Sequence, residues 1–312
     1  MRRCACTQTR TPHHDAPVFT RILHQKTPTR EYHHRACTPN VAETSSTHWG
    51  QLKLLLSEIE FLTPFWGEVF YVIYAGAAPG IHIPVLASMF QSMHFILVDP
   101  QSSVMVNGEY SNIHVMQLAM TSPLARDFAD LYQDRLLLIS DVRVAAKRKK
   151  AHTESGQAHQ KRVQGDMENQ RAWVQAMRPV ASILKFRLPW NDVQGTTLYP
   201  EGSLCLPVYG RDLTHESRLV VQRDARDTLY DNKLYEGQMA YFSQVLRPAM
   251  YPNKSGTSMC YDCTAFHCII NKYLVKAGIS MPKCQGYEFV KQKCWYIEKW
   301  LLRLLKHYGT GL

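Results

Sequence analysis

Asp99, Asp141 and Lys185 stand at or near the ends of apolar runs of strand length: Phe95-Ile96-Leu97-Val98, Arg135 to Ser140, and Val180 to Phe186. A further run, Val69 to Tyr74, leads into Ala75-Gly76-Ala77-Ala78-Pro79-Gly80. Glycines after a first strand let the backbone come close to a ligand, and an acid ending the second strand can accept both hydroxyls of a ribose. Gly76, Gly80 and Asp99 supply those parts, so the chemistry suited is the binding of an adenosine-type cofactor. The turn is not the dinucleotide G-x-G-x-x-G, because Pro79 stands where a third tight backbone approach would be needed. That ranks a nicotinamide-dependent oxidoreductase low. Cys260-x-x-Cys263 with His267 and Cys268 has the ligand types of a zinc site. Thr264 to Val275 reads as helix, however, and Cys284 and Cys294 lie ten apart rather than forming a second pair, so core cysteines are the better account and no metal is assigned.

Residues placed in this way need a parallel sheet to hold them. Leu52, Leu54, Leu55, Leu56, Ile59 and Leu62 recur at helical spacing until Thr63-Pro64 stops the run, giving a packed helix that carries Lys53. Strand, glycine turn and helix to about Phe90 follow, and the alternation continues with strands at 95–99, 113–118, 135–141 and 180–186. Continuous apolar strands separated by crossover-length segments make a buried, mostly parallel sheet, with ligands at the carboxyl ends. The fold class is therefore α/β and Rossmann-like. Residues 197–207 and 216–222 read as late strands, and Lys233 to Leu246, Cys260 to Ala277 and Tyr287 to Leu305 as helices. The polar stretch between Val142 and Arg178, with Lys147 to Lys150, Lys161 and Arg162, reads as a solvated loop, with an RNA-backbone contact as its functional alternative. Residues 1–48 read as an irregular basic arm, and 49–312 as a single domain.

Composition bounds the rest. Apolar residues are 45% of the 312, enough to bury a core, and 36 Lys+Arg against 26 Asp+Glu leave a formal charge of +10, which points to a polyanion such as nucleic acid. Nine scattered Cys with no apolar segment after the N-terminal arginines argue against a secreted disulfide scaffold. The most apolar stretch, Val69 to Phe90, is broken by Pro79, Gly80, His82 and Pro84, so no membrane span is expected. A soluble intracellular protein is the expectation.

Gly76-Ala77-Ala78-Pro79-Gly80 resembles the glycine turn of the class I S-adenosylmethionine-dependent RNA 2′-O-methyltransferases, whose catalytic set runs Lys, Asp, Lys, Glu. Lys53, Asp141, Lys185 and Glu216 occur here in that order. Gly50 to Leu56, Leu138 to Arg143, Pro179 to Ser182 and Leu184-Lys185 resemble, more closely, the poxvirus cap-specific mRNA 2′-O-methyltransferases, which double as regulatory subunits of the viral poly(A) polymerase. The resemblance implies S-adenosylmethionine as cofactor, with Gln51, Tyr74, Gly76, Gly80, Asp99 and Asp141 binding it and the adenine wall near Leu118 to Met120. Gln101 stands where relatives carry an arginine.

The resemblance also implies that Lys185 is the central base or positioning group, supported by Lys53, Asp141 and Glu216. Lysine titrates near 10.4 in water, so burial and nearby cations must lower it before it can accept a proton near neutral pH. For the 7-methylguanosine cap, whose delocalised positive charge favours aromatic faces, it implies Trp190 as stacking platform, Tyr32 as second ring, and Asp192 and Glu236 as acidic contacts. Arg187, Thr214, His215 and Glu216 complete the expected cap and RNA contacts. Implied partners are 7-methylguanosine-capped mRNA and a poly(A) polymerase catalytic subunit in a heterodimer, in the host cytoplasm and the virion. The alternative is a non-catalytic RNA-binding processivity subunit.

Overall fold

The computed structural model describes residues 21–32, 46–101, 110–143, 156–190, 193–210, 214–247, 250–252, 258–280 and 286–308. In chain order the first elements are β1 (Ile22–Leu23), α1 (Ser46–Leu62), β2 (Tyr71–Ala75), α2 (Ile83–Met89), β3 (His94–Val98), β4 (Ile113–Met116), α3 (Ser122–Tyr132) and β5 (Leu136–Ser140). Then come α4 (Gly156–Met177), β6 (Ala181–Phe186), β7 (Thr196–Pro200), β8 (Ser203–Cys205), β9 (Ser217–Gln222), β10 (Asp227–Asp231) and α5 (Asn232–Tyr241). A short ribbon of β11 (Met250–Pro252) and β12 (Ser258–Cys260) precedes α6 (Tyr261–Lys276) and α7 (Gly286–Tyr308).

The main sheet has eight strands in the order β1-β8-β9-β6-β5-β2-β3-β4. From β4 to β6 the neighbours are parallel, and β9, β8 and β1 add an antiparallel edge. β2, β3, β5 and β6 form the buried middle because their runs are apolar on both faces, as strands covered by helices on both sides must be. Strand order reverses at β2, which is flanked by β3 and β5, and a crevice at the carboxyl ends of these strands is where such sheets take ligands. The Rossmann-like sheet expected from the sequence is present, and each early strand lies within two residues of its expected position.

The fold departs from the sequence reading at α4, at β1 and at β10, which pairs with β7 in a stretch given no element. The stretch read as a solvated loop contains the 22-residue helix α4. Its buried positions, Met167, Gln170, Trp173, Val174 and Met177, recur at helical spacing, but with few apolar members the signal is diluted by Gln, Arg and Glu. Lys161 and Arg162 lie on this helix, whereas Lys147 to Lys150 lie outside the described residues. Within the segment read as an irregular arm, Ile22–Leu23 pairs antiparallel with β8. Arg21 beside it is buried and holds Glu60 of α1 through Nε and Nη2 at 2.9 and 2.6 Å.

Candidate active site

Lys53 on α1, Asp141 just past β5, Lys185 near the end of β6 and Glu216 just before β9 come together at the carboxyl end of the sheet. Lys185 Nζ lies 2.8 Å from Asp141 Oδ1 and 3.8 Å from Glu216 Oε2, and Lys53 Nζ donates to Glu216 Oε1 at 2.7 Å. The four side chains are 13 to 23% exposed, so the cluster is screened from bulk water while one side stays open.

The pairing has a fifth member that the sequence reading missed. Arg218 sits two residues beyond Glu216 on the same side of β9, in register with Lys185 across the β6–β9 ladder. It donates to Asp141 Oδ1 at 2.6 Å and to Glu216 Oε1 at 3.2 Å, with its side chain 8% exposed. Arg143 adds an ion pair to Glu216 from the rim. The one available signal was a charge inside the otherwise apolar strand Leu219-Val220-Val221, where an unpaired arginine would be costly to bury.

These charges set one another's protonation. Burial drives Lys185 down from the usual lysine range, against the upward pull of Asp141 and Glu216. Burial also pushes Asp141 and Glu216 up, but it is outweighed by Lys185 and Arg218 at Asp141, and by Lys53, Lys185 and Arg218 at Glu216. Both carboxylates therefore lie below their ordinary range and stay ionised, and Lys185 lies below its own. Its backbone is fixed from behind: buried Gln170 of α4 donates to Lys185 O and accepts from Lys185 N, each at 3.1 Å. The β5 ladder ends at the Ser140–Leu184 pair, one residue short, so a side chain completes what the strand leaves unmatched.

The residues expected to hold an adenosine-type cofactor lie beside this cluster. Gly76 has φ +79° and packs so tightly on the end of β5 that an added Cβ would meet Val142 N at 2.7 Å. Gly80 is also left-handed, at φ +77°. Asp99 is oriented by two backbone donors, Ala78 N at 3.1 Å and Gln101 N at 2.8 Å. Tyr74 is buried, its hydroxyl donating to Glu58, and Glu58 lies 2.9 Å from His82 Nε2. His82 Nδ1 in turn lies 2.8 Å from Gln51 Oε1, so half-buried Gln51 and buried Tyr74 are tied into one polar chain. Leu118 is exposed at 38%, whereas Met120 is buried.

An aromatic group adjoins the charges. His215 is stacked on Trp190 with centroids 5.0 Å apart and planes at 22°, and Tyr32 meets both edge-on, at 4.6 Å from His215 and 5.8 Å from Trp190. The Tyr32 and Trp190 planes are at 89°, so the two rings touch but do not face each other across a slot. Arg187 Cζ lies 5.5 Å from the Trp190 ring centroid. Burial, with help from Arg187, lowers His215 to about 4, so the stacked imidazole is neutral. Thr214 Oγ1 accepts from Glu216 N at 3.2 Å and so fixes the entry to β9. Glu236 is buried at 3% exposure, with Lys233 Nζ at 3.5 Å. Asp192 lies outside the described residues. Among the described residues no group of His, Cys, Asp and Glu is arranged to hold a metal, and no helix is long and apolar enough to cross a membrane.

Several known proteins are similar to this chain. The cap-specific mRNA (nucleoside-2′-O-)-methyltransferase of Myxoma virus (strain Lausanne) is 28% identical over 231 residues, covering 69% of this chain and 66% of the relative. The chain thus matches just under two thirds of the myxoma protein's length. The protein of the same name from Fowlpox virus (strain NVSL) is 26% identical over 289 residues, covering 84% and 88%. Among solved structures, bluetongue virus VP4, described as a multifunctional RNA-capping production line, superposes with a TM-score of 0.42 at 15% identity, over 59% of this chain and 30% of its own. The family model described as poly(A) polymerase regulatory subunit matches residues 21–307, from the buried Arg21 through nearly all of α7, and the chain belongs to that family.

Proposed function

We propose that this protein is an S-adenosylmethionine-dependent, cap-specific mRNA 2′-O-methyltransferase. It would act on the ribose 2′-hydroxyl of the first transcribed nucleotide of 7-methylguanosine-capped RNA. The observation that carries the reading is Lys185 Nζ, screened from bulk water, pushed below its usual range and held 2.8 Å from Asp141 beside the glycine turn. The names of the myxoma and fowlpox relatives support the same activity.

The residues present fit the cofactor. A turn with left-handed Gly76 and Gly80 and a carboxylate at Asp99, already aimed by two backbone donors, suit a nucleoside with free ribose hydroxyls. When bound, S-adenosylmethionine supplies an electrophilic methyl group. The chain's own residues handle the other half of the reaction. A ribose hydroxyl is a poor nucleophile until it begins to lose its proton, and it must be held in line for transfer. Lys185 Nζ, as the neutral amine, accepts that proton or holds the oxygen through it. Asp141 fixes the direction of Nζ, and Arg218 and Lys53 keep Asp141 and Glu216 ionised, so the charge that forms on Lys185 meets two fixed carboxylates. Trp190 and Arg187 form the platform beside which the cap docks.

The same chain is also proposed to serve as the processivity subunit of a viral poly(A) polymerase, paired with its catalytic subunit in the host cytoplasm and the virion. The family match and the charge of +10 support that role.

Labelled S-adenosylmethionine with short RNAs, capped or uncapped, tests the reading. Cap-dependent labelling at a ribose oxygen is expected, and Lys185→Ala should lower kcat by about 10³-fold with cofactor affinity kept within about twofold. Near-normal turnover in that variant would sink the assignment. Retained polymerase stimulation by Lys185→Ala, with methyl transfer gone, would separate the two roles.

A further inference from the structure

Helix α7 is 23 residues long and buries one side. Val290 and Leu301 are inaccessible, and Ile297, Leu304 and Leu305 pack on the core, over α1 and α6. The opposite side is not the polar face that an amphipathic helix usually turns to water. Trp295, Tyr296 and Trp300 are 43, 51 and 38% exposed there. Three large rings within six residues are far more apolar surface than the fold needs, since the helix is already anchored by its inner side.

Cations run between the rings: Lys291 one turn before, Lys299 between the tryptophans, and Arg303 one turn after. Lys299 Nζ lies 5.7 Å from the Trp295 ring centroid. The acids of the helix are Glu288, paired with Lys291 at 3.5 Å, and Glu298. We infer that this outer face of α7 is a track for single-stranded RNA, with Trp295, Tyr296 and Trp300 stacking bases and Lys291, Lys299 and Arg303 contacting phosphates.

The alternation of rings and cations decides the occupant. Surfaces that hold single strands without sequence preference combine a positive track with aromatic faces on which successive bases stack. Protein–protein interfaces also collect Trp and Tyr, but they are depleted in lysine, and here Lys291 precedes the rings and Lys299 lies between the tryptophans. The surplus of 36 basic over 26 acidic residues in the whole chain has the same sign. The inference concerns RNA away from the cap and holds whether or not the charged cluster transfers a methyl group.

Fluorescence anisotropy of the full chain with a short uncapped oligouridylate, without cofactor and across a salt series, tests it. The double variant Trp295→Ala/Trp300→Ala is expected to bind at least tenfold more weakly. Lys299→Glu/Arg303→Glu, which leaves the three rings in place, should flatten the log–log salt dependence by about 0.7 per lost phosphate contact. Methyl transfer to a capped RNA too short to reach α7 should stay within about twofold of wild type in both variants. Unchanged affinity and salt slope in both would overturn the inference. So would wild-type self-association, by sedimentation, that the tryptophan variant abolishes while RNA affinity is unmoved, because the face would then be a protein contact.

Discussion

Lys53, Asp141, Lys185 and Glu216 lie on a packed helix and at strand ends, whereas Tyr32, Trp190 and His215 lie on connections between elements. The charged half is fixed by backbone ladders: Lys185 is registered against Arg218, and Gln170 takes up the peptide groups that β5 leaves unmatched. The aromatic half is fixed by ring-on-ring packing, with Tyr32 edge-on to both partners. A cluster of opposed charges in a partly dry site must be placed before the substrate arrives, because reorganising it during the reaction would cost more than it returns. Rings can be left packed on one another, since parting two edge-on rings forfeits about 0.5–1.5 kcal/mol and a stacked ligand restores it. The two halves should therefore respond differently to mutation, the first in turnover and stability and the second in substrate affinity.

The sharpest test of that contrast is Arg218→Met. It keeps the bulk but leaves Asp141 and Glu216 facing each other with one cation fewer, and should cost about 3–5 kcal/mol in urea unfolding together with most of the turnover. Unaltered stability would mean that Lys53 and Lys185 suffice to neutralise the pair. Trp190→Ala should act on the other side of the divide: KM for capped RNA rises about tenfold while kcat changes by less than about twofold. A fall in kcat alone would show that the rings position the reacting ribose rather than hold the cap.

Gln170→Leu removes both partners of the Lys185 peptide and should lower kcat several-fold, with KM for cofactor and RNA unchanged. A separate test uses pH. His215 is held near 4 in the folded protein against about 6.5 for an ordinary histidine, so between these values the unfolded chain takes up a proton that the folded one refuses. Its contribution to stability is complete above about 6.5 and is lost as pH falls toward 4. Over that window the Tm of wild type should fall more than that of His215→Phe, and parallel Tm curves would place the titrating group elsewhere.

Much of the parallel sheet was legible because strands covered on both faces have nowhere to put polar residues, so β2, β3, β5 and β6 read as unbroken apolar runs. Helix α4 was not, since it covers the sheet with only a few apolar side chains, and β1 is too short to carry a period. In the site, Lys53, Asp141, Lys185 and Glu216 could be picked out by resemblance and order. Arg218 and Gln170 could not, because their importance arises from long-range facts: the antiparallel register that sets Arg218 beside Lys185, and the place where the β5 ladder stops. Glu236 shows the converse. The resemblance implies it as an acidic cap contact, and in the fold its side chain is buried, with Lys233 Nζ at 3.5 Å, a setting that the sequence does not reveal.

Gly76 has a mechanical meaning besides its backbone angle. Its missing side chain is the clearance between the ends of β2 and β5, and Val142 N occupies that clearance. The glycine turn and the segment carrying Asp141 are thus in contact with no slack, like two gears meshed on a single tooth. On the proposed reading, a ligand seated in the turn would lie against the peptide that follows Asp141, whose carboxylate is 2.8 Å from Lys185 Nζ, so the two halves of the site share one backbone contact.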